Sequence, residues 1–238
     1  MFLCRLVAFL SLCLAACGQT LPLQYATFQS HGKPVSCVVY DAQNSVATII
    51  LLRGSGPADL DIARTQAKFF AEHGFRVLVA DYLSVTAKTK LSPANYRVWA
   101  QVVDDIVEEL RSRPGAQNKK IALLGQDLGG SVALLAGAHR IGVAAIAEWS
   151  GLLPNQFFSQ VQSLPPLLIV HGEQDQEVPV VNARQLVRLC ELKDFTCEAG
   201  IYPDEGHVFS SSAMNSANQR TLAFFQNHLW ANLPKRAE

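Results

Sequence analysis

The chain has 238 residues, with 20 basic and 20 acidic side chains and 49% hydrophobic residues. That length suits one domain with a sizeable core, and the hydrophobic content excludes a disordered chain. The balanced charge excludes the strongly basic surface that nucleic-acid binding requires, so no nucleic-acid partner is expected.

The first residues, MFLCRLVAFLSLCLAA, have the layout of a secretory signal, with one early Arg5 followed by an apolar run. The run is shorter than the roughly 20 residues of a membrane-spanning helix. The stretch LAAC that ends at Cys17 resembles a bacterial lipobox, although an ordinary signal peptide that contains a cysteine is the alternative. We expect a signal peptide at 1–16, a lipidated tether at 17–24 with lipid on Cys17, and a domain at 25–238. The protein would be exported to the bacterial periplasm and anchored to a membrane by its lipid.

After the tether, strands and helices alternate. Two short strands at 25–29 and 35–40 are joined by the turn HGKP, which predicts an antiparallel start. Buried-type strands follow at 47–52, 75–80, 121–124, 143–147, 167–170 and 196–202, and helices at 60–73, 93–111, 128–138, 179–192 and 221–233. Strands separated by such helices form parallel crossovers. The sequence therefore predicts an α/β fold with a mostly parallel central sheet and helices on both faces.

Polar residues follow four of these strands, at the carboxyl ends where ligands bind in such sheets. The loops read RGSG from Arg53, GQDLGG from Gly125, HGEQD from His171 and DEGH from Asp204. They occur in the order loop, central residue, acid and histidine. That is the order of the α/β-hydrolase fold, in which the nucleophile precedes the acid and the acid precedes the histidine.

On these motifs the chain resembles the dienelactone hydrolase family of α/β hydrolases over about residues 45–230. The resemblance also uses Ala80-Asp81-Tyr82, which follows a strand. It implies a hydrolase with a small-molecule substrate, with Asp175 as the acid and His207 as the base. Residues 152–165 are short for a helical cap, so little or no cap is expected.

General chemistry supports the roles of the acid and the histidine independently of the family resemblance. A histidine with a pKa near about 6.5 exchanges protons at neutral pH, and a carboxylate on its second nitrogen fixes the tautomer. The alternatives are a surface histidine at His207 and a simple turn residue at Asp175. His171 directly follows a strand and is expected to be a buried, hydrogen-bonded residue below the site.

The centre of the elbow departs from the family, which usually has serine or cysteine where this chain has Asp127. A carboxylate with a reference pKa near about 4 is ionised without a base. Its attack on an ester carbonyl gives an anhydride, whereas its attack on an sp³ carbon gives a stable alkyl ester that His207-activated water can open. The N–H of Leu128 and an N–H of the Gly54-Ser55-Gly56 loop are expected to stabilise the oxyanion of the second step.

This two-step route is that of haloalkane dehalogenases and epoxide hydrolases, whose elbows often read Gly-x-Asp-Trp-Gly-Gly. Leu128 replaces the tryptophan that helps to hold a departing halide, and the sequence does not place Trp99 or Trp149 beside Asp127. The paired tyrosines of an epoxide hydrolase have no match in Tyr82, Tyr96 and Tyr202. The elbow thus suggests a mechanism without supplying a substrate.

Arg53 stands where the family usually has histidine. It either binds an anionic group of the substrate or pairs with Asp127 and closes the site. Ser150, after the next strand, is a secondary candidate nucleophile, and Ser131 in the first turn of the following helix is poorly placed.

Two functions remain open from the residues. One is hydrolysis of an ester-like, lactone-like or alkyl substrate through Asp127, Asp175 and His207. The other is a degenerate hydrolase that binds a ligand or protein partner without turnover, in which Asp127 and His207 form a stable ion pair.

Three cysteines follow Cys17. Cys190 and Cys197 are close enough in sequence to pair in an oxidising compartment, which would leave Cys37 unpaired; three separate buried thiols are the alternative. The spacing of Cys and His residues gives no metal site, and the chain has no nucleotide-binding fingerprint, so no cofactor is expected.

Overall fold

The computed structural model describes residues 24–42, 45, 47–56, 58–86, 90–114, 119–139 and 142–230. The predicted signal peptide and nearly all of the predicted tether, including Cys17, lie outside the described residues. Those predictions concern processing and localisation, and they stay predictions.

The described residues form one eight-stranded sheet with the strand order β1-β2-β4-β3-β5-β6-β7-β8. β1 pairs antiparallel with β2, and β2 pairs antiparallel with β4. All other neighbouring strands are parallel. The strands are β1 (Gln24–Ser30), β2 (Lys33–Tyr40), β3 (Ala47–Leu52), β4 (Arg76–Ala80), β5 (Lys120–Gln126), β6 (Val143–Trp149), β7 (Leu167–Gly172) and β8 (Cys197–Tyr202). The predicted mostly parallel sheet with an antiparallel start is confirmed.

Helices cover both faces of the sheet, as predicted. They are α1 (Asp59–Glu72), α2 (Pro93–Ser112), α3 (Leu128–Ala138), α4 (Val181–Lys193) and α5 (Ser211–Leu229). Side chains of α2, α3 and α4 build the hydrophobic core on one face, and those of α1 and α5 build the core on the other. Every residue of β3 and β7 is buried, because a central parallel strand has helices on both sides.

The last helix begins earlier than its sequence predicted. α5 starts at Ser211 rather than at residue 221, because the Ser210 hydroxyl accepts the N–H of Ala213 and caps the helix. The first half of α5 reads SSAMNSANQ, which is largely polar, so its apolar periodicity is weak.

Little structure stands over the carboxyl edge of the sheet. Between β6 and β7 the chain forms only a short 3₁₀ helix at Asn155–Phe157, which agrees with the expectation of little or no cap. In the part of the chain that the structure describes, no helix is long and apolar enough to cross a membrane.

The structure joins Cys190, near the end of α4, to Cys197, the first residue of β8, by a disulfide. Cys37 is a buried free thiol in β2, and its burial raises its pKa to about 12. A thiol with that pKa is not a nucleophile at neutral pH.

Candidate active site

The turn between β5 and α3 holds Asp127 in a strained conformation, with φ 49° and ψ −119°. Glycines make that turn possible. A Cβ at Gly125 would lie 2.3 Å from the carbonyl oxygen of Gly129, and a Cβ at Gly129 would lie 2.0 Å from that of Leu52. Only glycine fits such close backbone contacts. The result is a sharp strand-to-helix elbow that presents the Asp127 side chain at the edge of the sheet.

The carboxylate of Asp127 lies in a cradle of backbone N–H groups. The backbone N–H groups of Leu128 and Ser55 lie close to it and lower its pKa. Its Oδ2 also lies close to Gly54, where a Cβ would stand 2.9 Å away. The predicted donors of the elbow and of the loop after β3 therefore meet, and they meet on Asp127 itself.

Burial raises the pKa of the Asp127 carboxyl above its ordinary value. The two backbone N–H groups and the charge of His207 oppose that rise, and the nearby carboxylate of Asp59 adds to it. Because the carboxylate is partly desolvated, its charge interacts more strongly with groups in the site than it would in water.

His207 and Asp175 form the predicted pair. His207 Nδ1 lies 2.9 Å from Asp175 Oδ2. Asp175 Oδ1 accepts the N–H of Glu177 at 2.9 Å and the N–H of Val178 at 2.8 Å. These bonds fix the buried carboxylate, so it holds the proton of His207 on Nδ1 and leaves Nε2 as the basic nitrogen.

The pKa of His207 reflects two opposing influences. Burial lowers it, but the hydrogen bond and charge of Asp175, with the charges of Asp127 and Glu177, raise it above the ordinary value overall. His207 is therefore a stronger base than a free imidazole.

His171 supports this pair from below. It is fully buried, and its Nε2 donates to the carbonyl oxygen of Val178 at 2.7 Å. Burial lowers its pKa, so it stays neutral beside the Asp175 carboxylate, 3.4 Å away. The predicted buried, hydrogen-bonded role of His171 is confirmed.

Asp127 and His207 line a common cavity of about 40 Å³, which we call the reaction slot. Trp149 also lines it, but its indole N–H donates to Thr221 Oγ1 at 3.2 Å and is not available to a leaving group. Ser150 lines the slot with φ 50°. The slot is bordered by Asp59, Ile62, Gln126, Asp127, Trp149, Ser150, His207, Val208, Phe209 and Met214.

Arg53 does not pair with Asp127, which was one of the two expectations for it, and its role in binding a substrate stays a prediction. Its guanidinium donates to the carbonyl oxygen of Gly54 at 2.9 Å and lies 3.8 Å from Asp81 Oδ1. It is not among the side chains of the reaction slot. Arg53 thus turns toward Asp81 rather than pairing with Asp127.

The tyrosines of this region are occupied elsewhere. The Tyr82 hydroxyl donates to the carbonyl oxygen of Arg53 at 2.8 Å, and the Tyr96 hydroxyl is hydrogen-bonded to Ser131. Neither tyrosine lines the slot. Ser131 is buried behind the elbow and also accepts the N–H of Leu152, which agrees with its poor placement as a nucleophile.

Sequence reasoning missed Asp59, the first residue of α1. Its Oδ2 accepts the N–H of Gly56 at 2.6 Å, and it lines the slot. A Cβ at Gly54 would stand 2.3 Å from Asp59 Oδ2 and 2.9 Å from Asp127 Oδ2, so these two oxygens lie no more than about 5 Å apart. The slot is thus acidic at one side.

Sequence reasoning also missed Gln126, whose side chain lines the slot beside Asp127. Its Nε2 donates to Gln66 Oε1 at 2.6 Å, and Gln66 Nε2 donates to Asn218 Oδ1 at 3.0 Å. This buried chain of amides ties the elbow to α1 and α5. Among the described residues, no group of three His, Cys, Asp or Glu side chains is arranged to hold a metal ion.

Comparison with known proteins finds relatives and structures with the same fold. The chain is 26% identical over 140 residues to a carboxymethylenebutenolidase-like protein of Yersinia pestis, and the match covers 52% of each chain. The chain therefore spans about half the length of that curated relative. Among solved structures, dienelactone hydrolase from Anabaena variabilis has a TM-score of 0.73 at 18% identity, over 87% of this chain and 98% of that one. Thermogutta terrifontis esterase 2, phosphorylated by paraoxon, has a TM-score of 0.73 at 16% identity, over 91% and 98%.

The structural neighbours share the α/β-hydrolase fold, which the strand order, the elbow and the His207–Asp175 pair also display. The sequence pattern of the dienelactone hydrolase family matches residues 35–229, which is most of the chain. The chain belongs to the dienelactone hydrolase family.

Proposed function

We propose that this protein hydrolyses a small organic substrate through a covalent ester on Asp127, with His207 as the base for the second step and Asp175 as its partner. Membership of the family supports hydrolysis in general. One observation supports this particular route: the Asp127 carboxylate is held by the two N–H groups that would otherwise bind the oxyanion of an ester substrate.

That contact argues against direct attack on an ester carbonyl. A substrate carbonyl has no access to the N–H groups of Leu128 and Ser55 while Asp127 occupies them, and the product of such attack would be an anhydride. An electrophilic sp³ carbon needs no oxyanion hole in the first step. The free oxygen of Asp127 attacks that carbon, the bond to the leaving group breaks, and the leaving group departs with the bonding electrons.

The second step uses the same N–H groups. Nε2 of His207 takes a proton from water, and the resulting hydroxide attacks Cγ of Asp127. The developing oxyanion lies on the oxygen already held by Leu128 and Ser55. Collapse expels the alkoxide, which takes the proton from His207. The carboxyl proton that the hydroxide brought to Asp127 then passes to Nε2 of His207, so the products are an alcohol and the free carboxylate.

The acidity of the slot narrows the choice of leaving group on the substrate. Asp59 lies near Asp127, and Arg53 faces away, so a departing halide would meet a carboxylate and no cation from this loop. The indole of Trp149 is occupied by Thr221. We therefore favour an electrophile with an oxygen leaving group, such as an epoxide or a strained cyclic ether, over a haloalkane. His207, whose pKa is raised and which lines the slot, gives its Nε2 proton to the departing oxygen and is then the free base for the second step.

The test is a turnover screen followed by trapping. The screen covers 1,2-epoxyalkanes, 1-bromoalkanes and 4-nitrophenyl acetate. With a compound that turns over, His207→Gln is expected to accumulate a covalent adduct on Asp127 that intact mass detects, whereas Asp127→Asn forms none. Single turnover in ¹⁸O-labelled water is expected to place the label in Asp127, because water attacks the enzyme's own carbonyl carbon.

A serine mechanism has a different signature. Paraoxon phosphorylates the related Thermogutta esterase, and the same reagent tests Ser150 here. If paraoxon adds mass to Ser150 and the ¹⁸O label appears only in the product, Asp127 is not the nucleophile. If neither turnover nor an adduct is found with any compound, the ligand-binding, non-catalytic alternative replaces this proposal.

A further inference from the structure

The reaction slot is too small to hold a whole organic substrate. Its volume of about 40 Å³ accommodates only a few water-sized groups. The reacting carbon and its leaving atom fill that space. Whatever else the substrate carries must continue outside the slot, along a neighbouring surface.

A groove of about 290 Å³ runs from the slot between α1 and the segment that leads into α5. Four side chains line both the groove and the slot: Ile62, Val208, Phe209 and Met214. The two spaces therefore adjoin each other, and all four shared side chains are apolar.

Four polar residues line the groove: Asp61, which faces Arg64 at 3.3 Å, Thr65, Gln66 and Ser211 at the start of α5. Thr65 Oγ1 donates to the carbonyl oxygen of Asp61 at 2.9 Å, and Gln66 is bonded to both Gln126 and Asn218. Val208, in contrast, exposes 64% of its surface to solvent, which is uncommon for a large apolar residue at the mouth of a slot. The groove thus offers apolar contact and few free hydrogen-bonding groups to a ligand.

We propose that this groove binds a hydrocarbon chain of the substrate, so that the substrate class is an electrophile whose reacting carbon ends an apolar chain. This inference rests on the proposed function, since it takes Asp127 as the point that the reacting end reaches. The chain covers Val208 and Met214 when it binds, and release of water from those surfaces supplies the affinity.

Met214 gives a direct reporter for the groove, because the chain contains only one other methionine, Met1. Protein labelled with methyl-¹³C methionine is titrated with unreactive 1-alkanols from ethanol to octanol, and the Met214 methyl resonance is followed. The dissociation constant is expected to fall about three- to fourfold for each added methylene. A Met214 resonance that does not move, or a dissociation constant independent of chain length, overturns the proposal.

Two variants locate the binding. Val208→Asp is expected to weaken octanol binding at least about tenfold and to flatten the dependence on chain length. Leu192→Asp places the same change at another exposed apolar residue, on α4, and is expected to leave the series unchanged. Equal loss in both variants, or none in Val208→Asp, contradicts the assignment.

Asp127→Asn separates this inference from the proposed function. It is expected to bind the alkanol series with the same dependence on chain length as the unmodified protein, since the groove does not need the carboxylate. If that holds while His207→Gln traps no adduct, the groove stands and the catalytic route falls. If adducts form with equal rates for short and long epoxyalkanes, the catalytic route stands and the groove falls.

Discussion

The structure contains two His–Asp pairs of nearly the same geometry. His207 Nδ1 lies 2.9 Å from Asp175 Oδ2, and His139 Nδ1 lies 2.8 Å from Asp104 Oδ2. Both carboxylates are buried, and in both pairs the pKa of the histidine is raised. Geometry between the two partners therefore does not distinguish a catalytic pair from a structural one.

The surroundings do distinguish them. His207 lies at the carboxyl edge of the sheet and shares the reaction slot with Asp127. His139 follows the last residue of α3 and faces a cavity of about 230 Å³ that is lined by Arg97, Leu135 and Phe157, among others, with no carboxylate, hydroxyl or thiol side chain. In the proposed mechanism His207 acts as a base because it faces a third group, Asp127, in the reaction slot, and the cavity at His139 offers no such group.

The largest contrast is expected from removing each histidine. His207→Gln should lower turnover by about 10³-fold or more, because the enzyme ester then has no base to activate water. His139→Gln should leave turnover within about twofold, as for an ordinary surface substitution. The ratio of kcat values in the two variants, measured with the compound that the substrate screen identifies, gives the comparison. Similar losses in both variants would show that the first pair has no special role.

Replacing the carboxylates sharpens the same contrast. Asp175→Asn should lower turnover by about 10²- to 10⁴-fold, because an amide that donates to Nδ1 of His207 moves the proton to Nε2 and removes the base. Asp104→Asn should leave turnover unchanged and lower the pKa of His139, since Asp104 is what raises it. NMR titration of the His139 ring measures that pKa. An unchanged His139 pKa in Asp104→Asn contradicts the assigned pairing.

How far the sequence predicted these pairs depends on where their residues lie. His207 and Asp175 follow strands of a parallel sheet, and the order of such loops along the chain predicts that the two side chains meet at the edge of the sheet. Asp104 and His139 lie in and just after two helices whose packing the sequence pattern does not specify, so their pairing was not predicted. The elbow was predicted because Gly125, Gly129 and Gly130 carry a spacing that the turn requires.

The sequence pattern did not predict the direction in which side chains in loops and at helix starts point. Asp59 looks like any acid in the first turn of a helix, where it favours the helix dipole, and only the fold brings it to Asp127. The sequence suggested two partners for Arg53, and neither was Asp81. Asp81 follows β4, and the direct pairing of β4 with β3 brings it close to Arg53. The start of α5 was placed too late because its first turns are polar.

Glu148 is a buried carboxyl without a cationic partner, in contrast to Asp104 and Asp175, which are paired with histidines. Glu148 is fully buried at the end of β6, where Oε2 accepts the N–H of Gly151 at 2.9 Å and Oε1 has no partner. Burial raises its pKa from 4.5 to about 8, although the bond from Gly151 opposes this. The folded state therefore holds a proton that the unfolded state releases above about pH 4.5.

Stability should consequently fall as the pH rises from about 4.5 to about 8. Glu148→Gln removes that dependence and should stabilise the fold at pH 8 by several degrees in Tm, on the order of 3 kcal/mol, with little gain at pH 4.5. Thermal unfolding at the two pH values measures it. Glu191→Gln, which changes an exposed carboxyl on α4, is the matched control and should show no such difference. A Tm gain equal at both pH values would mean that Glu148 is charged in the fold.

The smallest expected effect concerns the stability that the second pair provides. The hydrogen bond that His139 donates to Asp104 raises the pKa of His139. Burial opposes this rise, and the charge of Asp104 adds to it. The folded pKa lies above the unfolded value of 6.5, so the stabilisation is fully present below pH 6.5 and is lost as the pH rises through the folded pKa. The His139 side chain is 48% exposed, so solvent screening limits the effect to a fraction of about 1 kcal/mol. Chemical denaturation should find His139→Gln less stable than the unmodified protein at pH 5.5 and nearly equal to it at pH 9. Exposed His31→Gln should show no such convergence, and a difference for His139→Gln that grows with pH would reverse the sign and sink the argument.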